Sequence, residues 1–372
     1  VGGAPKIEWQ ILNAERACSL GKTRTATWSG KGEEGTVELD HYGGLFNPIV
    51  LDPDYRIAQR DRGEDESPQA PFKILLNRLA VRVDLNRANR NEASVGTTII
   101  PFRNYAHRIK LDGFYEQDER GVALGYNYGF GWAIDQRTYG VGLGLNFTAS
   151  RLNQGVLSSA VEFPETKGNL ISFGAGVGFD TRIFREDPDW GISGSFGYET
   201  SDKIYGSDVR FHLFDAELRF FYSPIRGTTL AMELGVTQVN GSDIPTQRLP
   251  DAGGGGGVRG IQPSEFVDRA SIIVRTELRQ FLFEDLDINL LYLVYLRRIQ
   301  FVLFLDTGDV GEDLDHVFRN RTDWKWGTGF GFRLWGKSFG VTDLIFRFDV
   351  GFRIDETDDL GPRYFVGFGQ TF

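Results

Sequence analysis

The residues able to do chemistry in this chain are charged rather than nucleophilic. Five consecutive glycines, Gly253–Gly257, run into Val258-Arg259-Gly260-Ile261. Downstream, Glu277 shares an alternating row with Ser271, Arg275 and Arg279. Further on, Phe304-Leu305-Asp306-Thr307-Gly308 puts Phe304, Asp306 and Gly308 on one row and Leu303 and Leu305 on the other. A planar guanidinium suits this setting, because it can bridge two carboxylates through several hydrogen bonds. The glycine run is not followed by Gly-Lys-Ser/Thr or a helical pattern, so it reads as a flexible loop rather than a phosphate cradle. Catalytic alternatives are thin. Four histidines (His41, His107, His212, His316) are scattered, and His107 and His212 have no matching serine or acid pattern for a hydrolase. The one cysteine, Cys18, can form neither an internal disulfide nor a Cys-pair zinc site. No enzymatic activity, cofactor or metal is expected.

The elements that must position these residues are strands. The chain has 372 residues, 47 of them glycine and 30 phenylalanine, with a single Met and a net charge of −10. An acidic balance of this size argues against nucleic acid as a partner. No stretch is apolar and long enough for a membrane helix. Apolar residues instead alternate with small or charged ones over ten-residue segments. Val122, Leu124, Tyr126, Tyr128, Phe130 and Trp132 alternate with Gly and Asn; Tyr139 to Phe147 alternate with Gly and Asn; Leu344 to Ile354 alternate with Asp, Arg and Gly. Bulky rows on nearly every strand would leave a soluble sandwich with only glycine and charge outside. Facing lipid, they form an outer belt around a polar interior. The expectation is an all-β, transmembrane antiparallel β-barrel of about 16 strands.

From the end of the sequence backward, strands are expected at 363–372, 342–354, 325–335, 299–309, 269–281, 228–238, 208–222, 190–200, 169–183, 138–149, 120–132 and 105–117. Weaker patterns fall at 94–103, 73–86, 34–42 and 22–30, and 155–164 is ambiguous. A parity change near Leu213–Phe214 reads as a bulge. Residues 1–20 read as an N-terminal extension and 21–372 as the barrel. Asp187-Pro188-Asp189 and Gly336-Lys337-Ser338 are short turns, while 240–268 and 310–323 are long loops at the opposite strand ends, the asymmetry of periplasmic and extracellular sides. The last row, Tyr364, Val366, Phe368 and Phe372, is expected to face outward, with Gly367 and Gly369 weakening and bending the final strand.

Over 168–372 the sequence resembles the BamA/TamA superfamily, the outer membrane protein 85 or bacterial surface antigen barrels. The resemblance rests on Val258-Arg259-Gly260, then Phe304-x-Asp306-x-Gly308, then an amphipathic last strand closing on Phe372, in that order. Asp180-Thr181-Arg182 with Pro188 and Gly191, Tyr222-Ser223-Pro224, and Gly329-x-Gly331-x-Arg333 fall in matching order. Ile261 stands where the family usually has an aromatic residue.

The resemblance implies that loop 240–268 folds into the lumen and that Arg259 contacts Asp306 and Glu277. Physics agrees: a cation in a narrow lumen must be paired. It also implies a bacterial outer-membrane location, a final strand carrying the assembly signal at Phe372, and a seam at Gly367 and Gly369. Residues 1–20 are too few for a POTRA domain, so a POTRA-less member, or a barrel cut from a longer chain, is expected, with its signal peptide absent from this sequence. The implied function is assistance in insertion or translocation of outer-membrane components, or a subunit role in an outer-membrane assembly. A passive or plugged channel, or the membrane anchor of a larger protein, are the alternatives. Expected partners are outer-membrane lipids and lipopolysaccharide, and another barrel, a lipoprotein or a second copy. A buried ion pair can equally serve the fold alone.

Overall fold

A computed structural model describes residues 7–11, 24–28, 49–51, 66–67, 72–83, 91–101, 106–116, 119–134, 137–153, 167–182, 188–290, 294–338, 342–355 and 361–372. Four short strands, β1 (Ile7–Ile11), β2 (Arg24–Trp28), β3 (Ile49–Leu51) and β4 (Glu66–Ser67), form one sheet in the order β2-β1-β3-β4. The main sheet has fifteen strands. It begins with β5 (Phe72–Val83), β6 (Asn91–Pro101), β7 (His107–Tyr115), β8 (Glu119–Ile134) and β9 (Arg137–Leu152). It continues through β10 (Gly168–Asp180), β11 (Trp190–Ser201), β12 (Arg210–Ile225), β13 (Thr228–Asp243) and β14 (Ala270–Phe283). It ends with β15 (Ile288–Leu290), β16 (Val294–Gly311), β17 (Lys325–Ser338), β18 (Thr342–Arg353) and β19 (Arg363–Phe368). Pairing runs strand to next strand from β19 to β5, and β15 adds to β16 beside that path. Among the described residues, helix is confined to α1 (Leu314–Arg319) and three single turns, and no described helix is long and apolar enough to cross a membrane. One compact unit comprises Leu76–Thr97 and Lys110–Phe372, and the site described below lies wholly within it.

Sequential antiparallel pairing follows from the alternation, because a one-residue slip would exchange the faces of every side chain. The outer face carries half-exposed bulky residues such as Leu124, Leu145, Phe196, Leu218, Leu303 and Val366. The inner face carries Arg, Asp, Glu and Gly. The expected strands from 73–86 onward are present, with 155–164 and 34–42 outside the described residues. The expected strand at 22–30 appears as β2, in the small sheet rather than the large one, and β15 was not anticipated. That accounts for fifteen strands where about sixteen were expected.

The expected bulge at Leu213–Phe214 is absent. Both residues pair in register with Val239 and Gln238, and the register shifts fall elsewhere, between Arg210 and His212 and between Tyr222 and Ile225. The apparent parity change has another cause. Phe211 is inward and fully buried, and with Leu213 it packs in an apolar cluster with Leu152, Leu170, Val209, Val239, Ile244, Leu249 and Val267. Three of these, Ile244, Leu249 and Val267, come from the long loop 244–269 between β13 and β14. At this end of the sheet, inward apolar residues meet loop rather than water.

Candidate functional site, an arginine lock on the inner face

Four neighbouring strands present one polar field. Register sets Arg275 of β14 opposite Asp306 of β16, and Glu277 opposite Phe304. Asp306 then lies opposite Gly327 of β17 and Phe304 opposite Gly329. Gly331 faces Asp349 of β18, and Gly327 faces Arg353. The glycine row on β17 leaves a trough, and Arg259 descends into it from loop 244–269.

Arg259 is fully buried. Its Nε donates to Asp306 Oδ2 at 2.6 Å and its Nη2 to Asp306 Oδ1 at 2.9 Å, a side-on fork. Its own backbone N–H donates to Asp306 Oδ2 at 3.1 Å. Nη1 donates to Glu277 Oε1 at 2.5 Å and approaches Asp349 Oδ2 at 3.5 Å. The guanidinium carbon lies 3.7 Å from the centroid of the Phe304 ring, whose negative face adds a cation–π contact. Removing a charge from water costs several kcal/mol, and only saturated geometry of this kind compensates it. The contacts that the resemblance implied for Arg259 with Asp306 and Glu277 are thus present, and Asp349 joins them.

Glycines make the approach possible. A Cβ on Gly327 would collide with the Arg259 carbonyl, and one on Gly351 would lie 2.8 Å from Gly260 N. Gly260 itself adopts φ +108°, and a Cβ there would meet the Phe352 carbonyl. The Phe304 ring occupies the space a Gly329 side chain would need. Gly308 lies against the Ile272 carbonyl in the same way. Val258 and Ile261 are fully buried, with Ile261 tucked under Gly253.

The loop is built rather than flexible, contrary to the reading of its five glycines. Val258 N–H donates to Ala252 O at 2.7 Å and Gly254 N–H to Ile261 O at 3.0 Å. The Asp251 carboxylate accepts from Gly253 N–H at 2.8 Å and from Ser264 N–H. Two flank contacts hold its ends. Arg248 donates to Glu119 at 2.7 and 3.1 Å and reaches Glu199 at 3.4 Å. Burial disfavours the Arg248 cation, but Glu199 and Glu119 outweigh it and raise its pKa above the ordinary arginine value. On the other flank, Glu265 accepts from Arg353 at 2.9 Å, and Arg353 also grips Asp355 at 3.0 Å through both Nε and Nη2.

Magnitudes separate the roles of these contacts. Burying Ile244, Leu249 and Val267 contributes about 1.5–3 kcal/mol each. The ion pairs net far less after desolvation, yet losing one partner costs about 3–5 kcal/mol. The apolar cap therefore supplies most of the docking energy, and Arg259 fixes where the loop sits.

The last strand departs from expectation. Pairing of β19 with β18 stops at Phe368. Gly369 then takes φ +82°, donates to Ile345 O at 2.8 Å, and turns the chain off the strand. Phe372 is therefore not outward. It is 8% exposed on the inner face, packed against Phe221 and Ala231, with Arg275 and Arg279 guanidiniums 5.2 and 5.1 Å from its ring. A positive φ breaks strand alternation, so the parity that the sequence projected to Phe372 ends at Gly369. Gly367 stays in β19 opposite Arg347, whose guanidinium lies alongside it.

Arg279 and Arg333 went unanticipated as members of the site. Arg279 donates to Glu277 at 2.8 Å, and Arg333 donates to Asp349 at 2.5 Å. Alternation identified the row of each and set Arg279 two residues from Glu277, but nothing local to Arg333 names Asp349, 16 residues away. Asp180-Thr181-Arg182 forms a hairpin base: Arg182 forks onto Asp180 at 2.9 Å twice, and Thr181 and Ile192 exchange hydrogen bonds at 2.9 Å. The letters of a serine-hydrolase elbow, G-x-S-x-G, do occur at Gly336–Gly340. Gly336 and Ser338 pair with Leu344 and Thr342 in a strand-to-strand hairpin, however, and such an elbow needs a helix after the serine.

The fold is similar to that of a solved BamA from Haemophilus ducreyi lacking POTRA domains 1–3, at 14% identity and a TM-score of 0.50, covering 80% of this chain and 70% of that one. CdiB from Escherichia coli and CdiB from Acinetobacter baumannii align at 15% and 13% identity, with TM-scores of 0.44 and 0.45. In each case 75% of this chain and 49% of the CdiB chain are covered. No family model and no curated protein matches the sequence. The likeness is one of fold.

Proposed function

We propose that this chain is an outer-membrane β-barrel of the BamA/TamA type that assists insertion or translocation of outer-membrane components, alone or as a subunit of a larger assembly. The observation that carries the reading is the meeting of two distant motifs, Val258-Arg259-Gly260 and Phe304-x-Asp306-x-Gly308, at 2.6 Å on the inner face. The continuous apolar outer face supports a bilayer as its solvent, since water tolerates no exposed patch of that extent. Its expected contacts are outer-membrane lipids and lipopolysaccharide on that face, and another barrel, a lipoprotein or a second copy as partner. The role is one of scaffold and passage rather than bond chemistry.

The test is reconstitution into vesicles of outer-membrane lipid, with the folding rate of a urea-denatured barrel client followed by its heat-modifiable migration. Acceleration over empty vesicles that is lost in Arg259→Ala supports the reading, and equal rates with and without the protein overturn it. A second reading, a plugged channel, is favoured by the cap of Ile244, Leu249 and Val267 against the strands. It predicts bilayer conductance that rises from background when the cap is cut by Leu249→Ala, with no effect on client folding.

A further inference from the structure

Among the described residues the lock gathers Arg259, Arg279, Arg333 and Arg347 around Glu277, Asp306 and Asp349. Most of this group is sealed from water, with the side chains of Arg259, Arg279, Arg333, Glu277, Asp306 and Asp349 all fully buried. Each guanidinium carries five N–H donors, so four of them need oxygen acceptors beyond three carboxylates.

The segment 369–372 supplies them. Gln370 Oε1 accepts from Arg333 Nε at 3.3 Å, and the main-chain oxygen of Phe372 accepts from Arg279 Nη2 at 3.2 Å. Thr371 is the junction: its hydroxyl oxygen accepts from Arg259 Nη1 at 3.4 Å and from Arg333 Nη2 at 3.2 Å. One oxygen thus touches both the arginine of the loop and an arginine of the wall. The Phe372 ring lies over Arg275 and Arg279. Arg275 in turn donates to the Gly255 carbonyl of the loop at 3.3 Å. The turn at Gly369, with φ +82° and nothing within 4 Å of where a Cβ would lie, is a single-residue pivot for the whole segment.

We propose that loop 244–269 and segment 369–372 are one coupled latch. Arg259 held on Asp306 draws Thr371 inward, and Thr371 held inward completes the shell of Arg259. Freeing either frees the other. Two sites that share acceptors in this way have a coupling free energy, and coupling is reciprocal. The state of the loop is thereby communicated to the end of the sheet, where β19 is the final strand. This inference concerns the mechanics of the molecule and stands apart from the activity proposed above.

Hydrogen–deuterium exchange on the full chain in detergent, followed by peptide mass spectrometry, reads both ends. Thr371→Val keeps the side-chain shape and removes the shared oxygen. Exchange should rise about 5–150-fold in peptides over 366–372 and also in peptides over 252–262. Arg259→Lys should raise exchange in the same two regions. Arg248→Ala, which loosens the loop flank without touching Thr371, should raise exchange near 244–250 and leave 366–372 protected. Peptides from β10 and β11 must stay protected throughout, which separates latch release from unfolding. Should Arg259→Lys fail to fold, the Thr371→Val arm decides alone. The proposal falls if each variant loosens only its own segment, or if Arg248→Ala exposes 366–372 as strongly as Arg259→Lys does.

Discussion

Arg259 and Asp306 meet as a side-on fork, Nε to Oδ2 at 2.6 Å and Nη2 to Oδ1 at 2.9 Å, with the Arg259 backbone N–H adding a third bond to the same carboxylate. Forty-seven residues separate the two in sequence. This geometry uses the planarity of the guanidinium as much as its charge. Arg259→Ala leaves Asp306, Glu277 and Asp349 facing one fewer cation and is expected to cost about 3–5 kcal/mol. Arg259→Lys keeps the charge, loses the fork, and should cost less than the alanine while still loosening the loop. Denaturant unfolding in detergent measures both. In a double-mutant cycle, Asp306→Asn combined with Arg259→Ala should cost clearly less than the sum of the single changes. Additive losses would show that the pair is not an interacting unit.

The glycine trough gives a prediction of sign. Gly327→Ala places a methyl where the Arg259 carbonyl lies, and Gly260→Ala combines a collision with the Phe352 carbonyl and a φ of +108°. Each should lift the loop tip and open it to protease cleavage, and in Gly260→Ala the strained backbone alone adds about 1–3 kcal/mol. Gly256→Ala is the internal control, since nothing lies within 4 Å of the added methyl. Equal protease resistance in all three would mean that the loop does not sit in the trough.

The sequence shows these features unequally, for physical reasons. Strands β8 to β14 and β16 to β19 are legible because each carries a two-residue alternation over most of its length, as a pleated strand with one apolar face requires. Arg259, Asp306 and Glu277 are legible because two short motifs mark them. Phe211 and Leu213 mislead, since a row that turns apolar toward a loop looks like a bulge. Phe372 misleads because one glycine at φ +82° ends the alternation, and the sequence alone does not say which conformation Gly369 takes. Arg333 and Arg248 are silent: their partners Asp349 and Glu119 lie 16 and 129 residues away, with no spacing rule to connect them.

The apolar cap should matter more to loop docking than its polar neighbours do. Leu249 is 8% exposed and packs among β9, β10, β12 and β13 residues. Leu249→Ala removes burial and leaves a cavity, with an expected cost of about 2–5 kcal/mol. Arg248→Ala, one residue away, should raise that figure little if combined with it, because either change releases the same flank. Thermal unfolding of the two single variants and the double variant checks this, and a double variant with fully additive loss would assign the two residues to separate units.

Acid should release the Glu265 flank through Asp355. Partial burial disfavours the Asp355 carboxylate, but its hydrogen bonds from Arg353 and from the Trp326 backbone prevail and hold its pKa below the ordinary aspartate value. A carboxyl group with a lowered native pKa binds fewer protons folded than unfolded. Its contribution is therefore present above the ordinary aspartate pKa and is lost as pH falls through the lowered native value. Asp355→Asn should accordingly destabilise the protein at neutral pH and at pH 5. The gap between it and the parent should narrow as the pH drops below about 4. Midpoints of thermal unfolding at a series of pH values measure that gap. A gap that is constant down to strong acid would show that Asp355 acts through shape, and a gap that closes already near pH 6 would require another group, since an aspartate with a lowered pKa remains ionised there.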